Sequence, residues 1–358
     1  MRSANLIIAG ICIVLSACRG APQRAPAAVD VRASRGTEPV TDDADDPAVW
    51  VHPTDPSRSL IVGTNKVKAP NGALVVFGLD GKIRQTVAGL DRPNNVDIEY
   101  GLPLNGKPVD IAVAAERLRN QLRIFQVDEN GIADVTSRGN TQVFPDRSGE
   151  ERAPMGISLY KRPRDGAIFA IVAPKSGPKE GYLGQYRLED DGKGAVKASF
   201  VRSFGRFSGN GEIEAVAVDD ALGFVYYADE GDGIHKYAAD PDHPDPNREI
   251  AHFGRTGFRG DREGIAVLAR PDGTGYVVCT DQLAGNSEYH VFRREGPPGV
   301  EVRVIRGGAD TTDGLEISGR PLGPDFPDGI MIAMNSSGRN FLLYRWGDVA
   351  RAIESAPK

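Results

Sequence analysis

Six short apolar stretches of this chain open beside a polar or acidic cluster. They begin at Asp45-Asp46-Pro47-Ala48-Val49-Trp50, Asn95-Val96-Asp97-Ile98, Met155-Gly156-Ile157-Ser158-Leu159, Glu214-Ala215-Val216-Ala217-Val218, Glu263-Gly264-Ile265-Ala266-Val267 and Asp313-Gly314-Leu315-Glu316-Ile317. An Asp at a strand start is often only a turn former. Five of the six stretches carry an acid in the same register, however, and that recurrence points to chemistry. Asp229 and Glu230, after the second strand of the fourth repeat, and Glu151, ahead of the third, add to the set. Carboxylates gathered at one spot repel each other unless hard cations sit between them. A donor set of carboxylates, carbonyls and water, without a His or Cys cluster, selects Ca2+ over zinc. The histidines (His52, His235, His243, His252 and His290) show no zinc spacing and read as surface or turn residues.

The steps between these stretches run from 49 to 59 residues. Repeats of this order in an all-β chain mark a propeller, one blade per repeat, whose innermost strands line a common axis. Acids at the inner-strand starts then converge on one channel mouth. The first repeat divides into Ala48–His52, Leu60–Thr64, Leu74–Gly78 and Lys82–Val87, separated by turn signals, which is four strands of one blade. The fold predicted is an all-β, six-bladed propeller of four-stranded antiparallel blades. Its 43 glycines and 25 prolines suit many turns, and 40% hydrophobic residues suffice for a core. Trp346 to Ala356 reads as a short helix at the rim.

A formal charge of −6 argues against a nucleic-acid partner, which needs a basic face. It does not exclude an anionic substrate, since bound cations can reverse the local sign. Residues 1–18 read as a targeting segment: Arg2, an apolar core from Leu6 to Val14, then Leu15-Ser16-Ala17-Cys18. The last four resemble a bacterial lipobox, which implies cleavage before Cys18, lipidation of its thiol, and an exported protein held at a membrane by an acyl anchor alone. Residues 19–36, rich in Ala, Pro and Arg, read as a flexible tether, so the globular body is expected over 37–358. Cys279 reads as a small buried hydrophobe.

Several motifs resemble the β-propeller phytases: Asp42-Asp43-Ala44-Asp45-Asp46-Pro47-Ala48-Val49-Trp50, Gly63-Thr64-Asn65-Lys66, Asn94-Asn95-Val96-Asp97-Ile98, Leu104 to Ala112, Thr312-Asp313-Gly314-Leu315-Glu316, and Asn340-Phe341 with Trp346. The likeness runs from about residue 38 to 350. It implies a calcium-dependent phosphomonoesterase acting on phytate or another inositol polyphosphate, with several calcium ions and two neighbouring phosphates held at once. By resemblance, Asp45, Asp46, Asp97, Glu214, Glu230, Glu263 and Asp313 match the calcium cluster, and Asn335 stands where an acid is usual. Lys66, Arg117 and Lys175 match phosphate-holding residues and, with Glu214, form the expected catalytic group. Gln282 and Asn286 fall in a loop resembling one that contacts calcium. Met155, Val67 and Ser176 depart from the family pattern, where a tyrosine, a second lysine and a glutamate are usual, so one hydroxyl ligand and one phosphate contact are missing. Arg152, Lys161, Arg162 and Lys179 lie near enough in sequence to compensate, and Arg152 and Lys179 join the expected substrate-binding set. The reaction implied is metal-assisted hydrolysis without a covalent intermediate, in a protein expected to be a monomer.

No Gly-x-Ser-x-Gly elbow and no phosphate-loop or dinucleotide signature occurs. Two other classes stay open on sequence alone: a calcium-bearing propeller of lactonase type, and a non-catalytic surface lipoprotein whose propeller binds a partner.

Overall fold

A computed structural model describes residues 28–355. Six sheets form a ring, each built on four antiparallel strands, and each opens with one of the expected stretches as its innermost strand. These inner strands are Ala44–Trp50, Pro93–Leu104, Pro154–Lys161, Val216–Asp219, Ile265–Ala269 and Leu315–Ser318. The protein is therefore a six-bladed β-propeller. The remaining strands of the first blade, Leu60–Asn65, Gly72–Gly78 and Ile83–Leu90, match the sequence reading to within two or three residues at their ends.

Each blade buries both faces against its neighbours. Ala48, Val62 and Val76 of blade 1 meet Val96, Ala112 and Phe125 of blade 2. Ala215, Tyr226 and Ala228 of blade 4 meet Ile265, Val277 and Cys279 of blade 5. Double-sided burial explains why the second and third strands read as continuous apolar runs rather than as an alternation. The helix Trp346–Glu354 packs Trp346, Val349 and Ile353 onto the seam of blades 5 and 6, and Arg303 donates to its terminal Ile353 carbonyl.

The second half of the expected tether belongs to the body. Val29–Asp30 runs parallel to the outer strand of blade 5, with Val29 opposite Ile305. Arg35–Gly36 forms the outermost strand of blade 6, with Arg35 opposite Leu343. The C-terminal segment supplies three strands of that blade, so the N-terminal segment must supply the fourth to close the ring and cover its edge. Residues 1–27, including Cys18 and the targeting segment, lie outside the described residues.

Candidate active site at the axial mouth

Two local devices bring the acids to the axis. In blades 1, 2 and 3 the inner strand breaks register at its mouth end, between Ala44 and Pro47, Pro93 and Val96, and Pro154 and Ile157. Such bulges re-aim side chains; here they carry Asp45-Asp46, Asn94-Asn95 and Met155-Gly156. Elsewhere a glycine lets adjacent blades touch. A Cβ on Gly314 would lie 2.2 Å from an Asp46 carboxylate oxygen, and one on Gly264 would lie 2.4 Å from the Asp313 carbonyl. The Gly314 N–H donates to the Asp45 carbonyl at 2.9 Å, locking blade 6 to blade 1 beside the acids.

Asp45, Glu214, Glu263 and Asp313 gather around the Lys66 ammonium. Lys66 contacts Asp45 and lies 3.4 Å from Asp313. Lys66 occupies one Asp45 carboxylate oxygen, and the other is buried without a donor. Asn94 donates to Glu214 at 3.1 Å and Gln282 donates to Asp313. The Asn94 and Asn95 side-chain carbonyl oxygens are likewise buried and unpartnered. A buried polar atom without a partner carries its full desolvation cost. An oxygen-only cradle with several such atoms fits a hard divalent cation.

The electrostatics agree. Burial, with the charges of Asp45 and Glu212 against the relief of Lys66, pushes Glu214 up to about 8. Burial and Asp45, partly offset by Lys66, take Asp313 to about 8. Burial with Glu214, Glu230 and Asp313 takes Glu263 to about 10. Burial opposes the Lys66 charge, but Asp45, Glu214 and Asp313 outweigh it and hold its ammonium well above the usual lysine value. One lysine is too little positive charge for this many carboxylates.

The other expected ligands are placed unequally. Glu230 sits at the rim, accepts from the Glu212 N–H at 2.8 Å, and is raised to about 7, first by burial. Asp46 and Asp97 lie further down a narrow axial channel of about 160 Å³ that they line with Glu99, Asp220 and Glu316. Asp46 accepts from the Val96 N–H at 2.9 Å. Asp97 bridges blades, accepting from Ser158 at 2.9 Å and the Leu159 N–H at 2.7 Å. Asn335 does not join the mouth: its oxygen accepts from the Asp310 N–H at 2.9 Å and its amide donates to Asn340 at 2.8 Å, an arrangement that shapes the blade-6 hairpin. Gln282 does reach the mouth, whereas Asn286 accepts from the Gly308 N–H on an exposed loop. Asp229 is likewise engaged, by Ser208 and the Gly231 N–H.

A basic cleft of about 450 Å³ adjoins the acids, lined by Lys68, Arg92, Arg117 and Lys175, with Glu150 its one acid. Lys175 pairs with Glu212 at the mouth side. The residues expected to compensate for the departures at Met155, Val67 and Ser176 are engaged in other contacts. Arg152, next in sequence to the cleft-lining Ala153, turns its guanidinium to Gln142 at 3.0 Å. Lys179 lines a separate groove with Arg206, His235 and His252. Lys161 donates to the Tyr100 carbonyl at 2.6 Å, and Arg162 binds Asp165 and Asp242, both at the opposite face. Strand length explains two of these misses: the inner strand Pro154–Lys161 starts at the mouth and ends at the far face, where it leaves Lys161 and the following Arg162.

The histidine reading also needs correction. His52, His235 and His290 are buried. His235 and His290 tie the third strand to the fourth in their blades, through Glu249 at 2.8 Å and Glu301 at 2.7 Å. Two candidate metal-holding groups lie there, Asp232-His235-His252 and Asp281-Glu288-His290. In the first, the imidazoles stack at 4.2 Å and 12°, which keeps their in-plane lone pairs from meeting at one point. In the second, Asp281 already accepts two backbone N–H groups and Glu288 pairs with Arg259. Cys279 is buried, as expected, and burial raises its thiol far above the usual range.

Fold and site together define a six-bladed propeller with an acidic, cation-demanding axial mouth beside a basic cleft. The family model for phytase matches residues 3–357, and the chain belongs to the phytase family. It is 31% identical over 347 residues to a 3-phytase of Bacillus subtilis (strain 168), covering 91% of this chain and 86% of that protein. Among solved structures, a gluconolactonase of Xanthomonas campestris superposes with a TM-score of 0.50 at 13% identity, covering 91% of this chain and 99% of the other, a likeness of fold alone.

Proposed function

We propose that this protein is a calcium-dependent phosphomonoesterase that hydrolyses phytate to lower inositol phosphates. The observation that carries the proposal is the gathering of Asp45, Glu214, Glu263 and Asp313 around one lysine, with an Asp45 oxygen and the Asn94 and Asn95 carbonyl oxygens buried without donors, beside a basic cleft. Asp45, Glu214, Glu263 and Asp313 would hold the ions, with Glu230 at the rim and Asp46 below. Calcium, when bound, supplies the positive field that turns this mouth into an anion trap and polarises phosphate and water. Lys66, Arg117 and Lys175 hold the phosphate's non-bridging oxygens and oppose the charge that builds there during hydrolysis. The arginine fork suits bidentate phosphate contact. Burial of the mouth strengthens every such interaction.

The test is phosphate release from phytate by the chain lacking residues 1–18, with calcium and with a chelator, beside a simple aryl phosphate. Calcium-dependent release with preference for phytate supports the reading; equal rates in chelator would refute it. The lipobox-like Leu15-Ser16-Ala17-Cys18 further supports an exported, lipid-anchored protein. Palmitate labelling in a bacterial host is expected for the full chain and should vanish in Cys18→Ser.

A further inference from the structure

We infer that Asp281, Glu288 and His290 form a second cation site, separate from the axial mouth, which takes zinc or a similar borderline divalent ion rather than calcium. The inference is independent of the phosphatase reading.

The three residues share one face of a two-stranded ladder in blade 5. Strand Gly275–Asp281 pairs antiparallel with strand Glu288–Arg293, with Asp281 opposite Glu288 and Cys279 opposite His290. Side chains two apart on a strand point the same way, so Asp281, Glu288 and His290 converge. One ligand atom from each lies within 4.8 Å of the other two.

The imidazole is held as a metal ligand is held. His290 Nδ1 lies 2.7 Å from Glu301, which makes that nitrogen the proton donor and leaves the Nε2 lone pair bare. The side chain is 3% exposed, and Nε2 is buried without a hydrogen-bond partner. Nε2 faces Asp281 Oδ2 at 3.7 Å, too far for a hydrogen bond. Two tetrahedral ligands of one zinc ion lie about 3.3 Å apart, given bonds of about 2.0–2.1 Å. The gap therefore suits an ion between nitrogen and oxygen better than it suits a proton. Phe258 stacks on the ring at 3.9 Å and 20°, which fixes its plane.

The other contacts of the two carboxylates orient them rather than consume them. The Gly260 N–H donates to Asp281 Oδ1 at 2.6 Å, the kind of support that ligating carboxylates carry. Glu288 pairs with Arg259 at 2.9 Å, but Arg259 is 61% exposed, and its swing into solvent opens the way in. Asp281, Glu288 and Glu301 surround the imidazole, and Arg259 is the one lysine or arginine paired with any of them among the described residues. Three carboxylates against one guanidinium leave two negative charges, which a divalent ion neutralises. The nitrogen donor shifts the preference from calcium to zinc. Gln282 follows Asp281 directly and donates to Asp313, so an ion here braces blade 5 behind the mouth.

The experiment titrates zinc into the full-length protein, stripped of metal and then saturated with calcium, and follows binding by calorimetry. One zinc-binding event is expected to persist beside calcium and to be lost in H290Q. It should weaken about 10–100-fold in E301Q, which removes the carboxylate that orients the imidazole. It should tighten in R259A, which removes a competing cation. X-ray absorption of the zinc-loaded protein should show one imidazole nitrogen on the metal. Circular dichroism checks folding; if H290Q does not fold, the opposite shifts in E301Q and R259A carry the test. Absence of zinc binding beside calcium would overturn the inference. So would zinc affinity within twofold of wild type in folded H290Q, or in both E301Q and R259A, since His290 then serves only as an imidazolium tying Asp281 to Glu301.

Discussion

The far rim of the propeller and its axial mouth treat charge in opposite ways. At the face away from the mouth, Arg294 is buried against Asp219, and Arg162 meets Asp165, Asp240 and Asp242. Every one of these charges has a partner of opposite sign. At the mouth, Asp45, Glu214, Glu263 and Asp313 share the one Lys66, and the two arginines of the adjoining cleft form no ion pair among the described residues. The same strands run between both faces, so the contrast is not one of fold. A paired buried charge serves the fold, whereas an unpaired one raises the free energy of the protein alone and is relieved by a ligand. The mouth is the place where stability is given up for binding.

The sharpest test removes one acid from the mouth. Glu214→Gln or Asp313→Asn should cut calcium-dependent phosphate release by roughly 100-fold or more. Thermal stability in chelator should hold or rise, because a like charge has gone. Retained turnover would break the contrast between the faces. Next, Arg294→Ala should cost about 3–5 kcal/mol in urea unfolding by stranding buried Asp219. The folded fraction should keep its kcat/KM, because nothing at the mouth has changed.

A pH test probes the mouth as a whole. Glu214, Asp313 and Glu263 have folded pKa values of about 8, 8 and 10, above their unfolded values. Between about pH 4.5 and those values the native state binds more protons than the unfolded chain, so metal-free stability should fall as pH rises through that window. Calcium should flatten the fall, and its binding at pH 7 should release protons, measurable by calorimetry in buffers of different ionisation enthalpy. The smallest effect is expected at the far rim, where Arg164 and Asp242 are both more than half exposed. Arg164→Ala should change unfolding free energy by no more than about 0.5 kcal/mol and leave turnover alone.

The chain alone determined the blade count, the inner strands and the recurrence of acids at their starts. Those features follow from apolar periodicity and turn residues, which are local. It also pointed to Lys66, Arg117 and Lys175, whose loops lie beside the acids in the folded protein. Proximity in sequence misled where strands reverse. Lys161 and Arg162 are carried to the far face by a strand that starts at the mouth, and Asn335 is held by Asp310 and Asn340. The segment around Val29 and Arg35 has too few apolar residues to announce a strand, and only ring closure gives it edges to join. Pairing is a property of spatial neighbours, and the tertiary structure alone decides which charges have them.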